Sequence, residues 1–134
     1  PLTIGAVSRQ AGVGIETIRF YEREGLIQDP PRKESGYRQY PPDTVDRVLF
    51  IKHAKEVGFS LREIRELLEL RLSPGAPAAD VRKRAVAKIE DITAKIRSLQ
   101  RMKRALEKLV KECAGKGPVS DCPILSALEG RRRR

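Results

Sequence analysis

Val13-Gly14-Ile15-Glu16-Thr17-Ile18-Arg19-Phe20-Tyr21-Glu22 is the stretch that decides the fold. Ile15, Ile18 and Tyr21 recur at steps of three, which predicts a helix over 15–24 with those residues facing inward. Gly25 suits the position just past its last turn. Upstream, Thr3 is a good N-cap for a short helix over 4–10, with Ile4, Val7 and Ala11 on one face. Gly12-Val13-Gly14 breaks the chain between the two helices. Helix, glycine turn, helix is the helix-turn-helix pattern, whose second helix enters the major groove with its N-terminal residues toward base edges. Those residues are Gly14, Glu16, Thr17 and, one turn on, Arg19. Many small helical pairs share this pattern, so its neighbours carry the decision.

Downstream, Leu26-Ile27 and Asp29-Pro30-Pro31 form a short extended piece, and Arg32-Lys33-Glu34-Ser35-Gly36 a charged turn. Tyr37-Arg38-Gln39-Tyr40 alternates as a return strand does. The expected unit is a β-hairpin wing beside the helix-turn-helix, with Arg32, Lys33, Tyr37 and Arg38 at or near its tip. Arg and Lys meet phosphates in such a place, and a tyrosine hydroxyl can donate to one. A solvated hairpin with Tyr37 packed inward fits the same spacing.

Pro41-Pro42-Asp43 opens a third helix running to about Val57, with an apolar side built on Val45, Val48 and Leu49 and continued by Lys52 and Glu56. Backbone N–H groups at its start suit a phosphate. His53 on it is expected at the surface or in packing, not on a metal. Ser60-Leu61-Arg62-Glu63 is a capping box starting a fourth helix to Leu70, with Leu61, Ile64, Leu67 and Leu68 as its stripe. Two prolines and a glycine in 73–77 predict a hinge, assigned to 73–78. No Gly or Pro interrupts 79–112, a helix roughly 50 Å long. Ile89, Ile92, Ile96, Leu99, Lys103, Leu106 and Val110 alternate steps of three and four, which is a coiled-coil seam interrupted only by Lys103. One amphipathic helix folding back on its own head is the alternative. The length favours dimerisation through Ile89, Ile92, Ile96, Leu99, Leu106 and Val110.

The expected fold is therefore all-α with a small β-hairpin wing. A winged helix-turn-helix head with connecting helices occupies 1–72, and a dimerisation helix occupies 79–112. A loop and short C-terminal helix occupy 113–130, and a basic tail 131–134. Composition agrees: 40% hydrophobic and 34% charged residues, with no Trp, suit long helices that each bury one stripe rather than one large core. No run of 18 apolar residues or signal-peptide pattern occurs, so the chain is expected in the cytoplasm with no membrane partner. The net charge of +10 favours a polyanionic partner. Its excess, however, lies in 76–134, with 16 Lys/Arg against 7 Asp/Glu, where a solvated helix face and basic tail account for it. DNA reading must rest on placed residues in the first half.

Both cysteines lie in Cys113-Ala-Gly-Lys-Gly-Pro-Val-Ser-Asp-Cys122. Gly115, Gly117 and Pro118 make the interval a loop, and Pro123 suits the first position of a short helix over 123–128. In a reducing compartment two such cysteines are more often free or metal-binding than a structural bridge. Two soft thiolates suit a linear d¹⁰ ion: Cu(I), Ag(I), Au(I) or Hg(II). Zn(II) wants four ligands, and no others are in view.

Thr3-Ile4-Gly5, the stretch 13–21, Gly36-Tyr37-Arg38, Val57-Gly58-Phe59-Ser60-Leu61 and Cys122-Pro123-Ile124 together resemble the MerR family of bacterial transcriptional regulators, in order and over nearly the whole chain. The cysteine pair resembles its metal-sensing branch. The resemblance implies a homodimer with an antiparallel coiled coil, sitting on a palindromic promoter whose −35/−10 spacing is too long. It also implies that RNA polymerase is held there until an effector makes the dimer bend and untwist the DNA, giving both repression and activation. Thr17 and Arg19 then act on the recognition helix, Tyr37 and Arg38 on the wing. Sensors of divalent heavy metals in the family add a third cysteine at the start of the dimer helix, and Ala78 stands at that position here. The monovalent-metal sensors lack it too. The eight-residue interval between the sulfurs matches the mercury and lead sensors, so ligand count and loop length point to different metals, and ligand count bears more directly on coordination. A divalent sensor (Hg/Pb/Cd) that has lost its third cysteine is one alternative. A thiol redox sensor pairing Cys113 with Cys122 is another, and a structural coiled-coil protein with packed cysteines a third. An enzyme is disfavoured, because the lone His has no Cys or Ser near it and no phosphate-cradling glycine loop occurs.

Overall fold

The computed structural model describes residues 1–30 and 39–130 and contains six α-helices among them. Its contacts divide the chain into two compact units, Pro1–Arg84 and Ala85–Arg134.

In the first unit, α1 (Ile4–Ala11) packs on α2 (Ile15–Arg23) and on α3 (Asp43–Glu56), and α3 packs on α4 (Leu61–Arg71). The core is a single cluster built on Val7, Ala11, Ile18, Tyr21, Tyr40, Val48, Ile51, Ile64 and Leu68. Each end of α1 has a local cause. The Thr3 hydroxyl accepts from the Ala6 N–H at 3.1 Å. Gly12 closes the helix at φ 67°, a left-handed conformation in which a β-carbon is strained, and its N–H donates to the Ser8 carbonyl at 2.9 Å. The Ser8 hydroxyl also donates to the Val13 carbonyl, fixing the turn from which α2 starts.

Ile18 and Tyr21 of α2 are buried as the spacing predicts, whereas Ile15 is 38% exposed. Ile15 is the first residue of α2, and the core beneath that helix ends a turn short of it. The third helix differs more. Its buried residues are Thr44, Val48 and Ile51, Glu56 is exposed, and Val45, Leu49, Phe50 and Ala54 are half-buried. A helix covered by α1 on one side and α4 on another has no single apolar face. The capping box of α4 is complete, with Glu63 N–H to Ser60 Oγ at 3.2 Å and Ser60 N–H to Glu63 Oε1 at 2.8 Å. Ile64, Leu67 and Leu68 are buried.

The expected wing lies largely outside the described residues, including Arg32, Lys33, Tyr37 and Arg38. Its flanks are described. Leu26 and Ile27 are a buried bend, not a strand. Tyr40 forms an antiparallel bridge with Leu2, through N–H to O bonds of 2.8 and 2.7 Å. The Tyr40 hydroxyl donates to Glu22 Oε1, which ties this strand end to α2.

A turn follows α4, with Gly75 at φ 86°, and α5 (Ala78–Glu112) begins at Ala78, the last residue of the expected hinge. In the second unit α5 continues to Glu112 without interruption. Lys88 is its one buried residue and donates to Asp91 Oδ2 at 3.3 Å. Hydrogen bonds from Lys88 and then Lys95 hold the Asp91 carboxyl below its ordinary value. Gly115 and Gly117, both at positive φ, turn the chain after α5. A 3-10 turn (Val119–Asp121) then leads into α6 (Pro123–Leu128), with Pro123 in its first turn. Spacing alone had given a plain loop where this 3-10 turn lies.

Candidate nucleic-acid interface and metal centre

Gly14 caps α2 with its backbone alone, since it has no side chain to turn inward over the first N–H groups. The expected base-reading residues therefore stand at an open helix end. Glu16 and Arg19 are exposed and Thr17 is half-buried. Arg19 Nη1 donates to Glu16 Oε1 at 2.9 Å, an i,i+3 pair whose side chains are 81% exposed at Glu16 and 49% at Arg19. At that exposure the pair adds little stability. It sets where the guanidinium waits. Further along, the Arg23 guanidinium lies 5.9 Å from the Phe20 ring centre, so Arg23 is occupied on the helix itself. His53 is exposed, as expected.

At the other end of the chain, Cys113 follows α5 directly and Cys122 is the N-cap of α6. Both thiols are free and half-buried. Cys122 makes no formed side-chain cap bond. Its sulfur nevertheless feels the Leu125 backbone N–H most strongly, then the Ile124 N–H and the Cys113 thiol, which together hold its pKa below the ordinary thiol value against the opposing effect of burial. The Cys113 thiol is thus among the groups that lower the Cys122 pKa, which puts the two side chains within interacting range and favours thiolate at Cys122. Among the described residues no group of three or more His, Cys, Asp and Glu is clustered to hold a metal. The two thiol donors of the loop suit a soft ion.

The expected seam is solvent-facing in the single chain. Ile89 is 63% exposed, Leu99 62% and Val110 62%, with Ile92, Ile96, Met102 and Leu106 exposed as well. Leu99, Met102, Leu106 and Val110 line one apolar cleft edged by Lys103, Glu107 and Lys111. Among the described residues no helix is long and apolar enough to cross a membrane.

A helix-turn-helix head with an open second helix, followed by a long helix and a thiol loop, defines a DNA-binding regulator class. Comparison with known proteins places the chain within it. The family model for MerR HTH family regulatory proteins matches residues 2–70, and one described as MerR, DNA binding matches 45–109. The chain belongs to the MerR family of helix-turn-helix transcription regulators. It is 44% identical over 125 residues to the mercuric resistance operon regulatory protein of Bacillus cereus, covering 93% of this chain and 95% of that one. It is 37% identical over 129 residues to the HTH-type transcriptional regulator CueR of Salmonella typhimurium, covering 96% and 93%. Among solved structures it is similar to the transcription regulator PbrR691 from Ralstonia metallidurans CH34 in complex with lead(II). That likeness has a TM-score of 0.85 at 33% identity and covers 96% of this chain and 99% of that one.

Proposed function

We propose that this chain is a metal-responsive transcription regulator, acting as a homodimer on a palindromic promoter with RNA polymerase. Its effector is a soft thiophilic ion, Cu(I), Ag(I), Au(I) or Hg(II), at Cys113 and Cys122. The observation that carries the proposal is the neighbouring pair of free thiols at the two ends of one loop, joined directly to the C-terminal end of α5. Cys113 and Cys122 would hold the ion, which would supply soft Lewis acidity for thiolate. Leu125 and Ile124 N–H groups stabilise the Cys122 thiolate. Glu16, Thr17 and Arg19 face base edges, while Arg32, Lys33, Tyr37 and Arg38 take phosphates on the wing. The exposed residues Ile89, Ile92, Ile96, Leu99, Leu106 and Val110 form the seam between copies. Activation is by DNA shape, a deformation of about 1–6 kcal/mol for bends of this kind.

Ala78, at the start of α5, offers no ligand, which supports two-coordinate binding. Similarity to a mercury regulator at 44% identity and to CueR at 37% supports keeping Hg(II) beside the monovalent ions. The same proximity of sulfurs favours one second reading, a thiol redox switch closing a Cys113–Cys122 disulfide. Cys113→Ser and Cys122→Ser are expected to keep operator affinity and to abolish metal-dependent promoter opening. Loss of operator binding in both variants contradicts the proposal. A wild-type response to peroxide but not to metal under anaerobic conditions assigns the loop to redox sensing instead.

A further inference from the structure

Two adjacent side chains on α4 reach to two different helices. Arg65 donates through Nη2 to the backbone carbonyl of Glu24, the C-cap of α2. Glu66 accepts from Arg84 Nη1, on the second turn of α5. These partners are 41 and 18 residues apart in the chain, so neither bond is local to a helix. Both lie within the first unit. The closely packed helix pairs there are α1 with α2, α1 with α3, and α3 with α4. Neither α2 with α4 nor α4 with α5 is among them; Ile18 and Tyr21 of α2 share the core cluster with Ile64 and Leu68 of α4, and the two side-chain bonds add polar links beside that packing. Between the two bonds α4 is held stiff by its capping box and by buried Ile64, Leu67 and Leu68.

The chemistry at each end suits a positioning task. A guanidinium at a helix C-terminus meets a carbonyl that has no partner within the helix and the negative end of the dipole. The Glu66 and Arg84 side chains are 41% and 40% exposed, so solvent screens their contribution to folding. A bond that adds little to stability yet joins side chains of two different helices acts on their relative placement more than on folding.

We infer that Arg65, Glu66 and Arg84 form a strut that passes displacement of the first turns of α5, through α4, to the C-terminal end of the DNA-reading helix α2. This rests on the function proposed above, in which occupation of the thiol loop changes how the heads hold DNA. None of the three residues was singled out by the sequence patterns, because each partner is remote in the chain.

The test uses the full-length dimer on its promoter, with Hg(II) and Cu(I) as the probes. Glu66→Gln and Arg84→Gln are expected to hold metal-free operator affinity within about 2-fold and to lower the metal-induced gain in promoter opening about 2–5-fold. The exchange Glu66→Arg with Arg84→Glu is expected to recover most of that gain. Arg65→Gln combined with Glu66→Gln is expected to lose no more than the larger single loss, as for two links in series. Single variants that respond like the unaltered protein, an exchange that recovers nothing, or losses that add would overturn the strut. So would a fall in melting temperature large enough to account for the loss, since that marks a merely structural role. If the unaltered dimer opens the promoter with neither ion, the proposed function itself fails, and the strut with it.

Discussion

Replacing Leu99 with alanine is expected to weaken self-association by about two orders of magnitude. Leu99 is 62% exposed in the single chain and lines the apolar cleft shared with Met102, Leu106 and Val110. Leucine to alanine removes three carbons, about 2.4 kcal/mol of burial if the side chain were wholly covered. Only the 62% now facing solvent is available for a partner to cover, which leaves about 1.5 kcal/mol per copy. A two-fold interface presents each residue twice, so the dimer loses about 3 kcal/mol, roughly 150-fold in Kd. Sedimentation equilibrium over a dilution series measures this directly. Val57→Ala is the control, since Val57 is 59% exposed but caps α3, away from the seam. A Leu99→Ala dimer whose Kd stays within about 3-fold of the unaltered one, or an equal effect from Val57→Ala, would refute the reasoning.

Two further outcomes follow from the core and from the loop. Ile51→Ala, at a residue with no exposed surface in the cluster between α1 and α4, is expected to cost about 2–5 kcal/mol, seen as a lower denaturant midpoint for the first unit; an unchanged midpoint would show that α3 is not the centre of the head. The Cys122 pKa is lowered, so its thiolate persists to lower pH than an ordinary thiol and is lost only as pH falls through that depressed value. Its alkylation rate, followed by mass spectrometry, is expected to have a pH midpoint below the ordinary thiol range. In Cys113→Ser that midpoint is expected to rise yet stay depressed, because the Leu125 N–H acts more strongly than the Cys113 thiol. A midpoint at or above the ordinary range in the unaltered protein would remove the N–H contribution.

The parts of this fold that were legible in the sequence are those set by neighbours along the chain. Thr3, Gly12, Gly25 and the Ser60–Glu63 box act within four residues of the helix ends they define, and each helix boundary fell within about two residues of expectation. The apolar period on α5 was legible because a period needs no knowledge of a partner, and the residues that carry it are exposed in the single chain. The buried face of the third helix was legible only in part: Val48 is buried and Val45 and Leu49 pack on the core, but neighbours on more than one side blur the apolar face that spacing detects, and the fully buried Ile51 is not marked by it. The bridge from Tyr40 to Leu2 spans about half of the head, and no local pattern encodes it. At the site, the spacing of Cys113 and Cys122 showed that the sulfurs can meet. Pro123 at the first helical position already put Cys122 at the N-cap of α6, but spacing did not show that its sulfur would draw on the Leu125 N–H or that a 3-10 turn would precede it.

Promoter opening is the measurement closest to the central claim. The reduced dimer on its operator with RNA polymerase is titrated in parallel with Cu(I), Hg(II), Pb(II) and Zn(II), and strand separation is read by single-strand-specific modification of the DNA. A two-thiolate effector site predicts opening at one ion per Cys113–Cys122 loop with Cu(I) or Hg(II), and none with Zn(II), which lacks its further ligands here. Opening by Zn(II) at the same stoichiometry, or by none of the four ions, would contradict the account.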